Sequence, residues 1–206
     1  MKQGISIIHI WEIDWDTKKD LWKSIILNKL KRNKYFVYAR KCIIKEVTSE
    51  VAKSFLDENH LFGNRYAKIN IGLYYEGELV SLLTFSRHRK YDWELIRYCN
   101  LKEHSVIGGF SKMLAYFRKN YKGSIFSYND IDITPDYKHS IYFKNNFKFL
   151  GITRPSYFYT DGSNKFHRMK FSHNSLPKEA KDEYSYTNGL GLNRCFTAGN
   201  NRFLLE

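Results

Sequence analysis

Cysteine is scarce in this chain: three among 206 residues, at positions 42, 99 and 195. They are odd in number and far apart, so no disulfide framework is expected, and no Cys/His spacing suits a zinc site. Buried free thiols in a reducing, cytoplasmic compartment are the expectation. Long apolar runs are also missing. None approaches the roughly 20 residues of a membrane span, and the start carries only a short apolar stretch interrupted by His9, which is not a signal peptide. There is no internal repeat and no low-complexity tract. Acidic residues are few: 21 Asp and Glu against 34 Lys and Arg, a formal charge of +13. That excess favours a polyanionic partner, nucleic acid first. A merely lysine-rich composition would produce the same excess.

What the chain does have is apolar and aromatic. Hydrophobic residues make up 43 %, with 16 Tyr, 15 Phe and 4 Trp, ample for one core with an appendage. Gly4 to Ile13 alternates weakly and reads as a strand. Leu21, Trp22, Ile25, Ile26 and Leu30 recur at helical spacing over Asp16–Leu30, with Asp16 or Thr17 as cap. Phe36 to Val47 reads as a strand, then Thr48 or Ser49 caps a helix to about Glu58. Lys68–Tyr75 and Leu79–Arg87 form a hairpin, and Trp93–Cys99 a third antiparallel strand. A helix from Phe110 to Tyr121, a strand from about Gly123, a short helix over Lys138–Asn146 and a strand over Phe147–Ile152 follow. Tyr157–Tyr159 and Phe166–Phe171 make an aromatic hairpin. Lys178–Asn188 reads as a helix, and Asn193–Leu205 as a last strand pair. This order predicts a mixed, largely antiparallel central sheet with helices on both faces. The expected division is an extension over 1–35, a main domain over 36–171 and a C-terminal extension over 172–206 packing on it. The extensions are candidate surfaces for a protein partner.

The turn Val106, Ile107, Gly108, Gly109, Phe110, Ser111, Lys112 joins a strand to a helix N-terminus. Free backbone N–H groups there suit a cofactor diphosphate, with Lys112 adding charge; a tight turn without ligand explains the glycines equally. His60, after the second helix, is the best base candidate because imidazole titrates near neutrality; the alternative is a C-cap histidine. Asp130, just past a strand with Tyr128, Asn129 and Asp132, lies where open sheets line clefts. It could orient an amine or polarise His60, or cap a turn. Lys31, Arg32, Arg87, Arg89, Lys90, Lys165 and Arg168 could contact phosphates. Tyr157 and Tyr159 could stack on an unpaired base. Solvated faces and core aromatics are the plain reading of the same residues.

Over about Tyr38 to Phe171 the order of elements resembles the GCN5-related N-acetyltransferase (GNAT) fold. In that family an Arg/Gln-x-x-Gly-x-Gly/Ala turn holds the diphosphate of coenzyme A, and Ser105-Val106-Ile107-Gly108-Gly109 stands in its place. Two adjacent glycines replace the spaced pair, and the leading Arg or Gln is missing. Ile141-Tyr142-Phe143-Lys144-Asn145-Asn146-Phe147 resembles the family's Phe-Tyr-x-x-x-Gly-Phe segment, with Asn146 in the glycine position. The resemblance gives Tyr142 the role of protonating the departing thiolate.

A more specific resemblance, carried by Tyr38-Ala39-Arg40-Lys41-Cys42, Phe55-Leu56-Asp57-Glu58-Asn59-His60, Trp93-Glu94-Leu95-Ile96-Arg97-Tyr98-Cys99 and Pro155-Ser156-Tyr157-Phe158-Tyr159, is to a domain of phage proteins that follows Vsr-like homing-endonuclease domains. The Mom-type DNA-modification proteins of phages are a looser likeness. Together these imply acyl transfer from acetyl-CoA or another acyl-CoA to an amine of DNA. A DNA-binding domain without catalysis and an acetyltransferase of proteins or small molecules are the alternatives. No nuclease chemistry is implied.

Overall fold

A computed structural model describes residues 5 and 7–206 of the chain. Its centre is a seven-stranded sheet in the order β2-β3-β4-β5-β7-β12-β8. The strands are β2 (Ile43–Glu46), β3 (Ile69–Tyr75), β4 (Glu78–Arg87), β5 (Trp93–Asn100), β7 (Ile125–Asp130), β8 (Lys148–Ile152) and β12 (Asn200–Leu205). Every neighbouring pair is antiparallel except β5 and β7. The hairpin β3–β4 forms because Glu76 and Gly77 both adopt positive φ, 49° and 87°. That geometry matches the twist of a two-residue hairpin loop.

Helices cover both faces. On one, α3 (Gly109–Asn120) packs Phe110, Met113 and Phe117 against Leu83, Phe85, Trp93 and Leu95. On the other, α2 (Ser49–Asn59) packs Ala52, Phe55 and Leu56 against Leu82. Thr48 caps α2 as expected, its hydroxyl accepting the Val51 N–H at 3.4 Å. This mixed, largely antiparallel sheet with helices on both faces agrees in general shape with the expected fold. No helix among the described residues is long and apolar enough to cross a membrane.

Several expectations are corrected. The expected N-terminal strand lies partly outside the described residues; positions 7–10 have no regular structure, and α1 already begins at Glu12 (Glu12–Lys29), kinked at Lys18. The single strand over Phe36–Val47 is two. β1 (Tyr35–Tyr38) pairs in parallel with β6 (His104–Ile107) outside the main sheet, and a helical turn at Ala39–Lys41 separates it from β2. The helix over Lys138–Asn146 is two 3-10 turns, Tyr137–His139 and Phe143–Asn145, joined through buried Ser140, whose Oγ accepts the Tyr142 and Phe143 amides. The last strand pair does not pair with itself. β11 (Asn193–Phe196) joins β9 (Tyr157–Thr160) and β10 (Lys165–His167) in a separate three-stranded sheet, whereas β12 enters the main sheet between β7 and β8. The segment 172–206 thus supplies a strand of the central sheet, besides α4 (Glu183–Gly189). The three cysteines are free, and Cys42 is buried.

Candidate functional site

The parallel strands β5 and β7 keep register for only three pairs, Trp93 with Ile125, Glu94 with Phe126 and Leu95 with Ser127. Each then continues without the other, to Asn100 and Asp130, held by its outer neighbour. The sheet therefore splits into a notch. The split coincides with a bulge: Thr84 pairs with Arg97 and Phe85 with Leu95, leaving Ile96 as the extra residue of β5. A bulge raises local twist and ends pairing. At the fork the Ser127 hydroxyl donates to the Leu95 carbonyl at 3.0 Å.

Tyr142 sits at this fork. Its ring meets Phe110, Phe147 and Phe203 edge-on or tilted. Burial raises its pKa, while Ser127 and the Arg97 charge work the other way, so the phenol is protonated at neutral pH. The Asn146 position explains why the loop places it there. Asn146 takes φ 65°, ψ 21° and ends the second 3-10 turn. This is the left-handed conformation that asparagine tolerates better than other side chains, and it turns Phe147 into the core. Glycine would serve the same position.

Arg97 lies on the α2 side of the notch. Its Nε donates to Gly63 O at 3.2 Å and Nη1 to Ile96 O at 3.1 Å. The nearby carboxylate, Glu94, is paired with Arg65 at 3.0 Å. Burial, then Arg65, lowers the Arg97 pKa. Sequence reasoning did not single out Arg97; a cation in the middle of an apolar strand was the signal.

His60 departs from its expected role. It is the C-cap of α2, its N–H donating to Leu56 O at 2.9 Å. Its ring Nδ1 accepts the Phe62 amide at 3.1 Å. A neutral imidazole that accepts at Nδ1 carries its hydrogen on Nε2, so that nitrogen is a donor, not a base. Burial, then Arg97 and Lys18, push the pKa down to about 3. Among the described residues no hydrogen bond or ion pair joins Asp130 to it. Asp130 is raised to about 6 by burial and, secondarily, by Asp132 and Asp14, against the Asp132 amide and Lys165. Its Oδ1 accepts the Asp132 N–H at 2.9 Å. Of the two, Asp130 has the affinity for a proton that a base near neutral pH needs.

The expected cradle residues, Val106 to Lys112, span the end of β6 and the first turn of α3. Gly108 is the α3 N-cap at φ 76°, a conformation that favours glycine. Gly109 is required by packing, since a Cβ there would stand 2.9 Å from Val106 Cγ1. Val106, Gly109 and Phe110 are buried, whereas Ile107, Gly108 and Ser111 are exposed. The first turn of α3 carries no acid. The Lys112 ammonium is engaged elsewhere: its Nζ donates to Ala39 O at 2.9 Å and Cys42 O at 2.6 Å. The Ser111 hydroxyl is held by Asn145 Oδ1 at 2.7 Å. Gly108 and Ser111 stand exposed at the start of the helix, and the side chains beside them are committed to the protein.

The expected phosphate contacts divide. Lys31, Arg32, Arg89 and Lys90 are exposed, and exposed Arg87 stacks 3.9 Å over the Trp93 ring. Arg168 is exposed at the start of the 3-10 turn that follows β10. Lys165 is neutralised by Asp14 at 2.6 Å. Tyr159 is fully buried, and its hydroxyl donates to Glu183 at 2.9 Å, so it cannot stack on a base. Tyr157 remains partly exposed.

Searches against protein-family models and against curated proteins find no match to this chain.

Proposed function

We propose that this chain is a GNAT-like acyltransferase domain acting on an amine of nucleic acid. The observation that carries the reading is the notch: two parallel strands that part beside a bulge, with a protonated phenol at the fork. The strand order β2-β3-β4-β5-β7-β12-β8, with the last strand inserted before β8, supports the same reading. So does the left-handed residue after the Tyr142 turn. The amides of Gly108 and Ser111 would hold the diphosphate. Acyl-CoA, when bound, supplies an acyl group activated on sulfur. Tyr142, protonated at neutral pH, would give its phenolic proton at the notch. Asp130 would take the proton from the attacking amine. The net charge of +13 supports a polyanionic acceptor, and reaching a base amine requires an unpaired or extruded nucleotide.

One observation favours a second reading, a nucleic-acid-binding domain without catalysis. Lys112 and Ser111 are engaged within the protein, leaving the anion site to backbone donors alone.

Calorimetric titration with acetyl-CoA, followed by mass analysis of an oligonucleotide incubated with both, decides between them. Saturable heat and an added acyl mass are expected. Tyr142→Phe is expected to lower turnover by about 10²-fold without changing cofactor affinity. Nucleic-acid binding without acetyl-CoA heat would leave only the second reading.

A further inference from the structure

The sheet β10-β9-β11 gathers aromatic rings and arginines on one face. Register places Phe196 opposite Tyr157, and Arg194 opposite Tyr159. Alternation along the strands therefore brings all four side chains to the same side. α4 crosses this face. Its Glu183 accepts both the Tyr157 and Tyr159 hydroxyls, at 2.8 and 2.9 Å, which commits that carboxylate to the protein. Beside it, Tyr184 is 58 % exposed and Phe196 55 %.

The Arg194 guanidinium lies between three rings, 5.4 Å from the centre of Tyr157, 5.4 Å from Tyr184 and 5.2 Å from Phe196. Arg168 lies 5.7 Å from Tyr157 on the same ring cluster. Among the described residues neither guanidinium has a carboxylate within 4.0 Å. A core needs its aromatic rings covered, and here two large rings stay open. A solvated basic face needs no aromatic rings, and here they surround the cation. The combination has the chemistry of a stacking platform: flat π faces for bases and unpaired cations for phosphates.

We infer that Phe196, Tyr184, Tyr157, Arg194 and Arg168 form a binding surface for an unpaired nucleic-acid strand, in preference to a duplex. A duplex keeps its base faces stacked inside and offers an aromatic surface only sugar and phosphate. An unpaired strand offers both base faces and charge. Buried Tyr159 shares Glu183 with Tyr157 and so fixes α4 against the platform. This inference rests on the nucleic-acid half of the proposed function and not on the transfer chemistry.

The test is fluorescence anisotropy of the full chain with a labelled oligothymidylate of about 12 nucleotides and with a duplex of equal length. The single strand is expected to bind at least about tenfold more tightly. Replacing Tyr184 and Phe196 together by Ala is expected to weaken single-strand binding by roughly tenfold or more and duplex binding by less than about twofold. Arg194→Lys, which keeps charge but loses the planar stack, is expected to weaken the single strand selectively as well. These residues are exposed, and circular dichroism checks that each variant is folded. Folded variants that bind the single strand like the parent, or a parent that prefers the duplex, would overturn the platform while leaving nucleic-acid binding in place. Absence of binding to either probe would overturn both. The acetyl-CoA titration reads the transfer chemistry separately.

Discussion

Asp130 ends β7 with its carboxyl held protonated well above the ordinary range, to about pH 6, chiefly by burial. In the unfolded chain the same group releases its proton near 3.9. Between those values the folded state binds more protons than the unfolded one. The stability this group contributes is therefore complete below about pH 4 and lost as pH rises through 6. Asp130→Asn is expected to raise stability at pH 7.5 by roughly 1–3 kcal/mol and to flatten the pH dependence between 4 and 7, measured by urea unfolding. Equal stabilisation at pH 3.5 would mean that ionisation is not the cause. The same change would remove the proposed base, so a more stable but inactive variant is the joint expectation. His60 has the opposite sign. Its pKa is depressed to about 3, so its contribution is present above about 6.5 and lost as pH falls toward 3. Residue type alone made both positions visible in the sequence. Which of them keeps a lone pair for a proton depended on the Phe62 amide and on burial, neither of which a sequence displays.

Among the elements, the paired end of β5 and β7 matters most, because a notch needs a closed end. The Trp93 amide donates to Ser124 O at 3.0 Å, and the Trp93 indole donates to Lys122 O at 3.0 Å. Asp92 Oδ2 accepts both the Ser124 amide and its hydroxyl, at 2.8 and 2.9 Å. Gly123 makes this possible, at φ 115° and with space for no Cβ, which would meet Asp92 at 2.5 Å. Gly123→Ala is expected to destabilise the chain by about 2 kcal/mol or more, from backbone strain and the displaced Asp92, read as a lower urea midpoint. An unchanged midpoint would remove this clamp from the account of the fork. Local elements were legible where their signals were local. Thr48 before an amphipathic stretch marked α2, and Glu76-Gly77 between alternating runs marked the β3–β4 hairpin. The split of Phe36–Val47 was not legible, because β1 leaves the sheet to pair with β6, some 70 residues away by the register of Tyr35 with His104.

At the scale of the whole molecule, the last six residues of the sheet decide the architecture. β12 forms six register pairs with β7 and also pairs with β8, and fully buried Phe203 touches both Tyr142 and Phe149. Ending the chain at Gly199 would expose the edges of β7 and β8 and remove the support beneath Tyr142. Loss of a cooperative unfolding transition is expected, followed by near-ultraviolet circular dichroism during thermal denaturation. A truncated chain that still melts cooperatively would show β12 to be dispensable. By itself the sequence determined α2, α3, the β3–β4 hairpin with β5 beside it, and the surplus of positive charge, since apolar spacing and caps act over a few residues. Only the tertiary structure decided that 172–206 feeds the central sheet, that β5 and β7 part at Ile96, and that Phe196 and Tyr184 stand open while Tyr159 is buried. Those outcomes depend on pairing between distant segments, whose gain in buried area and hydrogen bonds no local pattern encodes.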